Sequence, residues 1–194
     1  MDDDEILDDD ILAHLRAQGD KKHQRRTHAT FFDWYDRTPF GRGLAESGIV
    51  DELLHAMRAH GCIDYRNLGA SGEEWPDVWV QGSDGKRVAC EVTALLDKTA
   101  LRISQARSWT ATELVDQLQA RIRTKGLRSL GGPKGDKSIL LIHTDELTLN
   151  AENVAVMLTD VSFEKASTMG RVFLLLSYDP KRGGYRYFEL QLAA

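Results

Sequence analysis

Two runs of alternating apolar and polar residues, separated by a glycine-containing turn, constrain the fold of this 194-residue chain most strongly. The first run is PDVWVQ, which begins at Pro76, and the second is KRVACEVT, which ends at Thr93. A period of two is typical of strands that bury one face, and a turn such as Ser83-Asp84-Gly85 can join two such strands. The sequence therefore predicts an antiparallel β-hairpin over residues 76–93.

The length of the hairpin loop decides which side chains share a face of the sheet. A three-residue loop places Gln81 opposite Arg87 and Asp77 opposite Glu91, whereas a two-residue turn would put the two acids on different faces. The three-residue loop also gathers the apolar residues on the other face, namely Val78, Val80, Cys90 and Val92. Because facing carboxylates repel, such a pair needs a proton, a basic neighbour or a cation. A hard divalent ion with oxygen ligands is one solution.

The spacing of apolar residues in the rest of the chain predicts an α/β fold, a mixed β-sheet with flanking helices. Helices are expected at residues 5–18, 44–60, 111–128 and 151–160, and strands at 62–68, 138–143, 172–177 and 185–190. Thr110 or Thr112 is the expected N-cap of the third helix. The sequence therefore predicts a chain of two parts. Residues 1–43 form an acidic helix and a basic, aromatic arm, and residues 44–194 form the folded domain. The arm is expected to pack through Phe31, Phe32, Trp34 and Tyr35.

The charge of the chain is unevenly distributed. The formal net charge is −5, but seven of the 30 acidic residues lie in the first ten positions, which leaves 23 acids against 25 bases in the rest. Local patches matter more than the total for binding phosphates. The candidate nucleic-acid contacts are therefore the basic clusters, Lys21, Lys22, Arg25 and Arg26 in the arm and Arg121 and Arg123 in the third helix. Each cluster taken alone is also compatible with an ordinary solvated surface.

The hairpin resembles a known nuclease motif. Pro76-Asp77, followed fourteen residues later by Glu91-Val92-Thr93, resembles the PD-(D/E)xK nuclease superfamily, and most closely a branch that ends in Glu-Val-Thr. The resemblance covers about residues 44–143 and implies a restriction-endonuclease-like core. It implies that Asp77 and Glu91 hold Mg²⁺ or Mn²⁺, with the backbone carbonyl of Val92 as a third ligand. A metal-bound water would then attack a phosphodiester bond of DNA.

Thr93 stands where the family has a lysine, and a hydroxyl cannot supply a positive charge. In some branches of the family this lysine lies on the following helix, which makes Lys125 the candidate here, with Arg121 one turn earlier. Many members also carry a glutamate on the helix before the hairpin. Glu46 is the candidate for that position, and Glu52 is its competitor. In the alternative interpretation, Asp77 is a turn former and Lys125 is solvated.

Two functions remain open at this level. The chain is either a magnesium-dependent nuclease or a catalytically inactive relative that binds nucleic acid or a protein, the latter through its acidic N-terminus. A homodimer is expected by analogy only. The Gly-rich segments at 41–43 and 131–138 do not match a phosphate-binding loop. The sequence shows neither an apolar run of roughly 20 residues nor a secretory leader pattern, so a cytoplasmic protein is expected. Cys62 and Cys90 are expected to be buried thiols, and His143 and Asp145 to be structural.

Overall fold

A computed structural model describes residues 39–62, 64–71, 75–95, 108–128, 138–146, 148–166, 169–179 and 182–193. In chain order the elements are α1 (Pro39–Ala59), β1 (Tyr65–Ala70), β2 (Val78–Gly82), β3 (Arg87–Ala94), α2 (Ala111–Arg128), β4 (Ser138–His143), α3 (Ala151–Met157), β5 (Met169–Leu175) and β6 (Tyr187–Glu189). The helix predicted at 5–18, the aromatic arm and the basic cluster at 21–26 lie outside the described residues.

The strands form a six-stranded mixed sheet in the order β1-β2-β3-β4-β5-β6. Strand β2 is antiparallel to both β1 and β3. Strands β3, β4 and β5 run parallel to one another, and β6 is antiparallel to β5. Parallel neighbours need a crossover connection, and α2 and α3 lie in the two crossovers. The predicted mixed sheet with flanking helices is therefore confirmed.

The sheet separates two apolar clusters. Residues of α1, including Ile49 and Leu53, pack against the face that carries Val78 and Val92. Residues of α2 and α3, including Leu118 and Val154, pack against the other face. Strand β4 is buried along its whole length because it contributes alternate residues to both clusters, as its continuous apolar sequence predicted.

The hairpin has the three-residue loop that the sequence predicted. Val78 pairs with Cys90 and Gln81 pairs with Arg87. The Gly82 amide donates to the Lys86 carbonyl at 2.9 Å. Gly85 has a φ of 78°, which a glycine adopts without a steric penalty. The same register, continued by one residue beyond β2, brings Asp77 opposite Glu91.

The boundaries of α2 agree with the prediction, and its N-terminus is a capping box. The Glu113 amide donates to Thr110 Oγ1 at 3.2 Å, and the Thr110 amide donates to Glu113 Oε2 at 3.0 Å. This reciprocal pair satisfies two amides that the first turn leaves without helical partners. Thr110, rather than Thr112, is thus the N-cap.

Several predicted boundaries were wrong by a few residues. Helix α1, predicted at residues 44–60, begins at Pro39. Proline suits the first turn of a helix, whose amides have no helical partner. Farther along α1, position 43 favours glycine, because a Cβ there would lie 2.9 Å from the Cβ of Ala70. Strands β1, β5 and β6 span 65–70, 169–175 and 187–189, and α3 ends at Met157.

The two cysteines differ in environment. Cys90 is buried, as predicted, but Cys62 is exposed, so the expectation of a buried thiol there was wrong. Cys62 lies beyond the end of α1, after Gly61, which has a φ of 78° and turns the chain away from the helix. His143 and Asp145 are both buried at the end of β4, in line with a structural role.

The close approach of α2 to the segment before β5 gives the first testable prediction. A Cβ on Gly126 would lie 2.2 Å from the Cβ of Ala166, so Gly126→Ala forces the helix to shift. We expect the free energy of unfolding to fall by about 1–3 kcal/mol, despite the higher helix propensity of alanine. Urea unfolding followed by circular dichroism measures the change.

Gly48→Ala in α1 is the matched control, because a Cβ at that helical position meets no atom of the described part of the chain within 4 Å. This variant should gain about 0.5–1 kcal/mol in unfolding free energy. If both alanine variants were stabilised to the same extent, the close contact between α2 and Ala166 would be contradicted.

Candidate functional site

Asp77, Glu91 and Lys125 meet at one end of the hairpin, on the face of the sheet that α2 covers. Lys125 Nζ lies 2.7 Å from Glu91 Oε2 and 3.4 Å from Asp77 Oδ2. The side chains of Glu91, Lys125 and Asp77 are only 4%, 14% and 18% exposed. The structure thus brings together the two predicted metal ligands and the helical lysine, although they are far apart in the sequence.

The backbone of β3 holds Asp77 in place. The amide of Val92 donates to Asp77 Oδ2 at 2.7 Å, and the amide of Ser71 donates to the Asp77 carbonyl at 3.1 Å. The N–H and C=O of a strand residue point to the same neighbouring strand. The Val92 carbonyl therefore leaves β3 on the side where Asp77 lies, as a backbone ligand at this site would need.

Lys125 is held as an ammonium group by its two acidic neighbours. Burial alone would lower the pKa of Lys125, but the charge of Asp77 and the hydrogen bond and charge of Glu91 outweigh it and raise the pKa above its ordinary value. The lysine is therefore positively charged at neutral pH. It compensates for the burial of two carboxylates that would otherwise repel each other.

Glu46 of α1 is a third carboxylate in the same electrostatic environment. Its pKa is raised to about 7, mainly by burial and then by the negative charge of Asp77, while Lys125 and Arg42 partly oppose this rise. Glu52, the competing candidate, instead accepts a hydrogen bond of 2.6 Å from the Tyr185 hydroxyl. The structure therefore groups Glu46, and not Glu52, with the hairpin carboxylates.

The remaining predicted site residues have other neighbours. Thr93 lies half-buried two positions after Glu91, on the same face of β3. The Arg121 guanidinium donates to the Ala94 carbonyl at 3.2 Å and so ties α2 to the end of β3. Arg123 lies 2.6 Å from Glu164 in an exposed ion pair. Because residues two positions apart on a helix point in opposite directions, Arg123 is turned away from Lys125.

Two neighbours of the site were missed by reasoning from the sequence. The positive charge of Arg42 partly lowers the pKa of Glu46. The sequence could have indicated this neighbour, because residues four apart lie on one face of a helix. Trp79 lies on the same face of the hairpin as Asp77, two residues farther along β2. The parity that paired Asp77 with Glu91 also predicts this position.

The oxygen atoms of this site have the chemistry that Mg²⁺ and Mn²⁺ prefer. The carboxylates are nevertheless arranged around Lys125. Across the described ranges, no three His, Cys, Asp or Glu side chains come together in a group that could hold a metal ion. A divalent ion at this site would therefore need oxygens of non-acidic groups in addition to Asp77 and Glu91. Otherwise Glu46 would have to move closer to these two carboxylates.

Comparison of the chain with protein-family models, with curated proteins and with solved structures found no significant match. No helix in the described part of the chain has the length and apolar character needed to cross a membrane.

The raised pKa of Glu46 predicts how stability depends on pH. The folded state holds this proton more tightly than the unfolded chain, whose pKa is close to the ordinary 4.5. The ionised carboxylate therefore destabilises the fold above about pH 7, and this cost disappears as the pH falls through 7 towards 4.5. Glu46→Gln should raise the free energy of unfolding at about pH 8 by roughly 1–2 kcal/mol, after allowance for solvent screening.

Urea unfolding in metal-free buffer between about pH 5 and pH 8 tests this dependence. The two proteins should be equally stable near the lower limit and diverge as the pH rises. Asp116→Asn, on the exposed surface of α2, is the control and should shift the curve little. A difference between Glu46→Gln and wild type that is constant at every pH would contradict the raised pKa.

Proposed function

We propose that this chain is a metal-dependent nuclease that hydrolyses phosphodiester bonds in DNA and that its core is restriction-endonuclease-like. The observation that carries the proposal is the convergence of Asp77 and Glu91 on Lys125, with Nζ–O distances of 3.4 and 2.7 Å. Lys125 comes from α2, where some branches of the PD-(D/E)xK superfamily carry the lysine that is absent after the hairpin. Its position therefore supplies the positive charge that Thr93 lacks.

The order of elements supports the same proposal. Helix α1 precedes three antiparallel strands, and α2 then leads to β4, which runs parallel to β3. The resemblance in the hairpin motif implies this succession of helix, hairpin, helix and strand. Asp77 and Glu91 occupy neighbouring strands at the end of the hairpin that faces α2, so the motif and its surroundings point to the same location.

Asp77, Glu91 and the Val92 carbonyl are the groups that would hold Mg²⁺ or Mn²⁺, with Glu46 as a further ligand on the α1 side. The metal would supply an activated water and neutralise negative charge on the phosphate. In the structure a cation, the ammonium of Lys125, already sits between the Asp77 and Glu91 oxygens. Positive charge is therefore favoured at this point, which supports an assignment of these groups as ligands.

Lys125 and the backbone have separate roles in this proposal. The ammonium of Lys125 keeps its proton, so it would donate a hydrogen bond to a phosphate oxygen or to the attacking water. The Val92 amide, which donates to Asp77 Oδ2 at 2.7 Å, fixes the orientation of that carboxylate. Arg121, which is bound to the Ala94 carbonyl, positions α2 and with it Lys125.

The alternative function is that of a catalytically inactive nuclease-like domain that binds nucleic acid or a protein. Two observations favour it. Thr93 replaces the lysine of the motif, and no three His, Cys, Asp or Glu side chains of the described residues form a group that could hold a metal ion. Under this alternative the ion pairs of Lys125 are structural, and the protein does not cut DNA.

A cleavage assay distinguishes the two functions. Supercoiled plasmid and single-stranded DNA are incubated with Mg²⁺ or Mn²⁺, and the products are separated on gels. We expect cleavage by the wild type and a loss of at least about 100-fold in rate for Asp77→Asn and for Glu91→Gln, because each removes a charged ligand. Lys125→Met should lose activity to a similar degree.

Asp116→Asn is the matched control, because it removes the same charge from the exposed surface of α2 and should cut at the wild-type rate. Circular dichroism verifies that each variant is folded. If neither DNA substrate is cut with either metal, or if the Asp77→Asn protein cuts as fast as the wild type, the nuclease proposal is contradicted.

A further inference from the structure

The three antiparallel strands present an ordered set of side chains on the face opposite to α1. Residues that pair directly across strands share a face, as do alternate residues along a strand. Arg66 pairs with Gln81, which pairs with Arg87, and this row lies near the hairpin loop. The next row consists of Gly69, Trp79 and Ala89, because a bulge between Asn67 and Gly69 adds one residue to β1. Continuing the register by one residue beyond β2 gives the row that contains Asp77 and Glu91.

Trp79 lies at the centre of this face, between two small residues. On one side Gly69 has no side chain, and a Cβ at that position would meet no atom of the described residues within 4 Å, so none of them fills the space above this glycine. On the other side is Ala89, which is buried. Trp75 meets Trp79 edge-on, with a centroid separation of 6.3 Å and an interplanar angle of 79°. The indole of Trp79 is therefore held in place by neighbours that leave room beside it.

Arg87 extends this aromatic surface with a flat cation. Its guanidinium carbon lies 4.5 Å from the centroid of the Trp79 ring, and the residue is exposed. A guanidinium that lies over an indole presents its outer plane to solvent, and both groups are surfaces on which unpaired bases stack. Arg66, in the same row, is also exposed.

Charge changes sign along this face. The two arginines lie at the end near the loop, the tryptophan lies in the middle, and the carboxylates with Lys125 lie at the other end. Rows two residues apart along a strand are separated by about 6.8 Å, so the row of the arginines lies roughly 14 Å along the strands from the row of the carboxylates. A strand of nucleic acid crossing this face would meet cations for its phosphates and an aromatic surface for a base before it reached the carboxylates.

We propose that this face, formed by Arg66, Trp79 and Arg87, binds single-stranded nucleic acid and leads it to the carboxylate–lysine site. The proposal rests on the nuclease function proposed above, whose substrate class it specifies. An unpaired base stacks on Trp79 and the Arg87 guanidinium, while Arg66 contacts the phosphate backbone. A duplex is disfavoured at this surface because its bases are already stacked and paired, so it could use the arginines but not the tryptophan.

Binding in the absence of metal tests this proposal separately from cleavage. The probe is a fluorescein-labelled oligothymidylate of about 12 nucleotides, within the length range that single-strand-binding surfaces cover. Fluorescence anisotropy is measured in EDTA, and an unlabelled duplex of equal length serves as competitor. We expect Arg87→Ala to weaken binding at least about fivefold, in line with the loss of one stacking contact. Trp79→Leu should weaken it at least as much.

Lys86→Ala is the matched control, since it removes the same charge one residue away, from a lysine whose side chain is 81% exposed in the hairpin loop. It should change the affinity by less than about twofold. Trp79→Phe, which keeps an aromatic ring, should bind with intermediate affinity. If Trp79→Leu fails to fold, Arg87→Ala and Trp79→Phe decide the matter.

The proposal is overturned if Arg87→Ala binds as tightly as the wild type, if Lys86→Ala loses as much affinity, or if duplex competes as well as single strand. The two proposals fail in different ways. Tight binding of oligothymidylate without cleavage supports the single-strand-binding surface and contradicts the nuclease function. Cleavage of duplex DNA without oligothymidylate binding supports the nuclease function and contradicts the binding surface.

Discussion

A carboxylate that is buried in a sheet beside a second carboxylate needs a proton or a positive neighbour, and Lys125 is that neighbour for Glu91 and Asp77. Breaking a buried pair by removing one partner costs about 3–5 kcal/mol, because the remaining charge is left uncompensated. The hairpin register, the capping box at Thr110 and the bond from Arg121 to the Ala94 carbonyl all place α2 so that Lys125 reaches this point. The same arrangement concentrates negative charge where Glu46 approaches, and under the proposed function this negative charge would help to hold a metal ion.

The local features of this fold were predictable because short-range physics decides them. Parity across the three-residue loop gave the pairing of Asp77 with Glu91, and continuous apolar sequence identified β4 as a strand buried on both faces. The limits of α2 and its cap followed from the apolar spacing and from Thr110. The sequence also supplied Lys125 and Glu46 as candidates, but not whether they reach the hairpin. That depends on how α1 and α2 pack on opposite faces of the sheet, which no local pattern specifies.

The features that were predicted wrongly or missed also depend on how the helices and strands pack together. The basic and aromatic residues before position 44 suggested an arm, but the helix begins at Pro39. Within it, Gly43 allows the close approach of Ala70. Arg121 and Arg123 have different neighbours because the helical period turns Arg123 towards Glu164, and the nucleic-acid contact expected of them stays a prediction. Cys62 follows the end of α1 and is exposed. Trp79 and Arg87 do not pair directly across the hairpin, and the contact of the Arg87 guanidinium with the Trp79 ring is seen only in the folded structure.

The most direct test of a metal-dependent site is calorimetric titration of Mg²⁺ and Mn²⁺ into the metal-free protein at neutral pH, in parallel with Asp77→Asn. The wild type should bind one of these ions in a saturable process. The variant should bind at least about tenfold more weakly, because removing a metal ligand weakens binding at least as much as removing a hydrogen-bond partner of a ligand. If neither ion binds to the wild type, or if the variant binds with equal affinity, Asp77 and Glu91 are not metal ligands, and the ion pairs of Lys125 are structural.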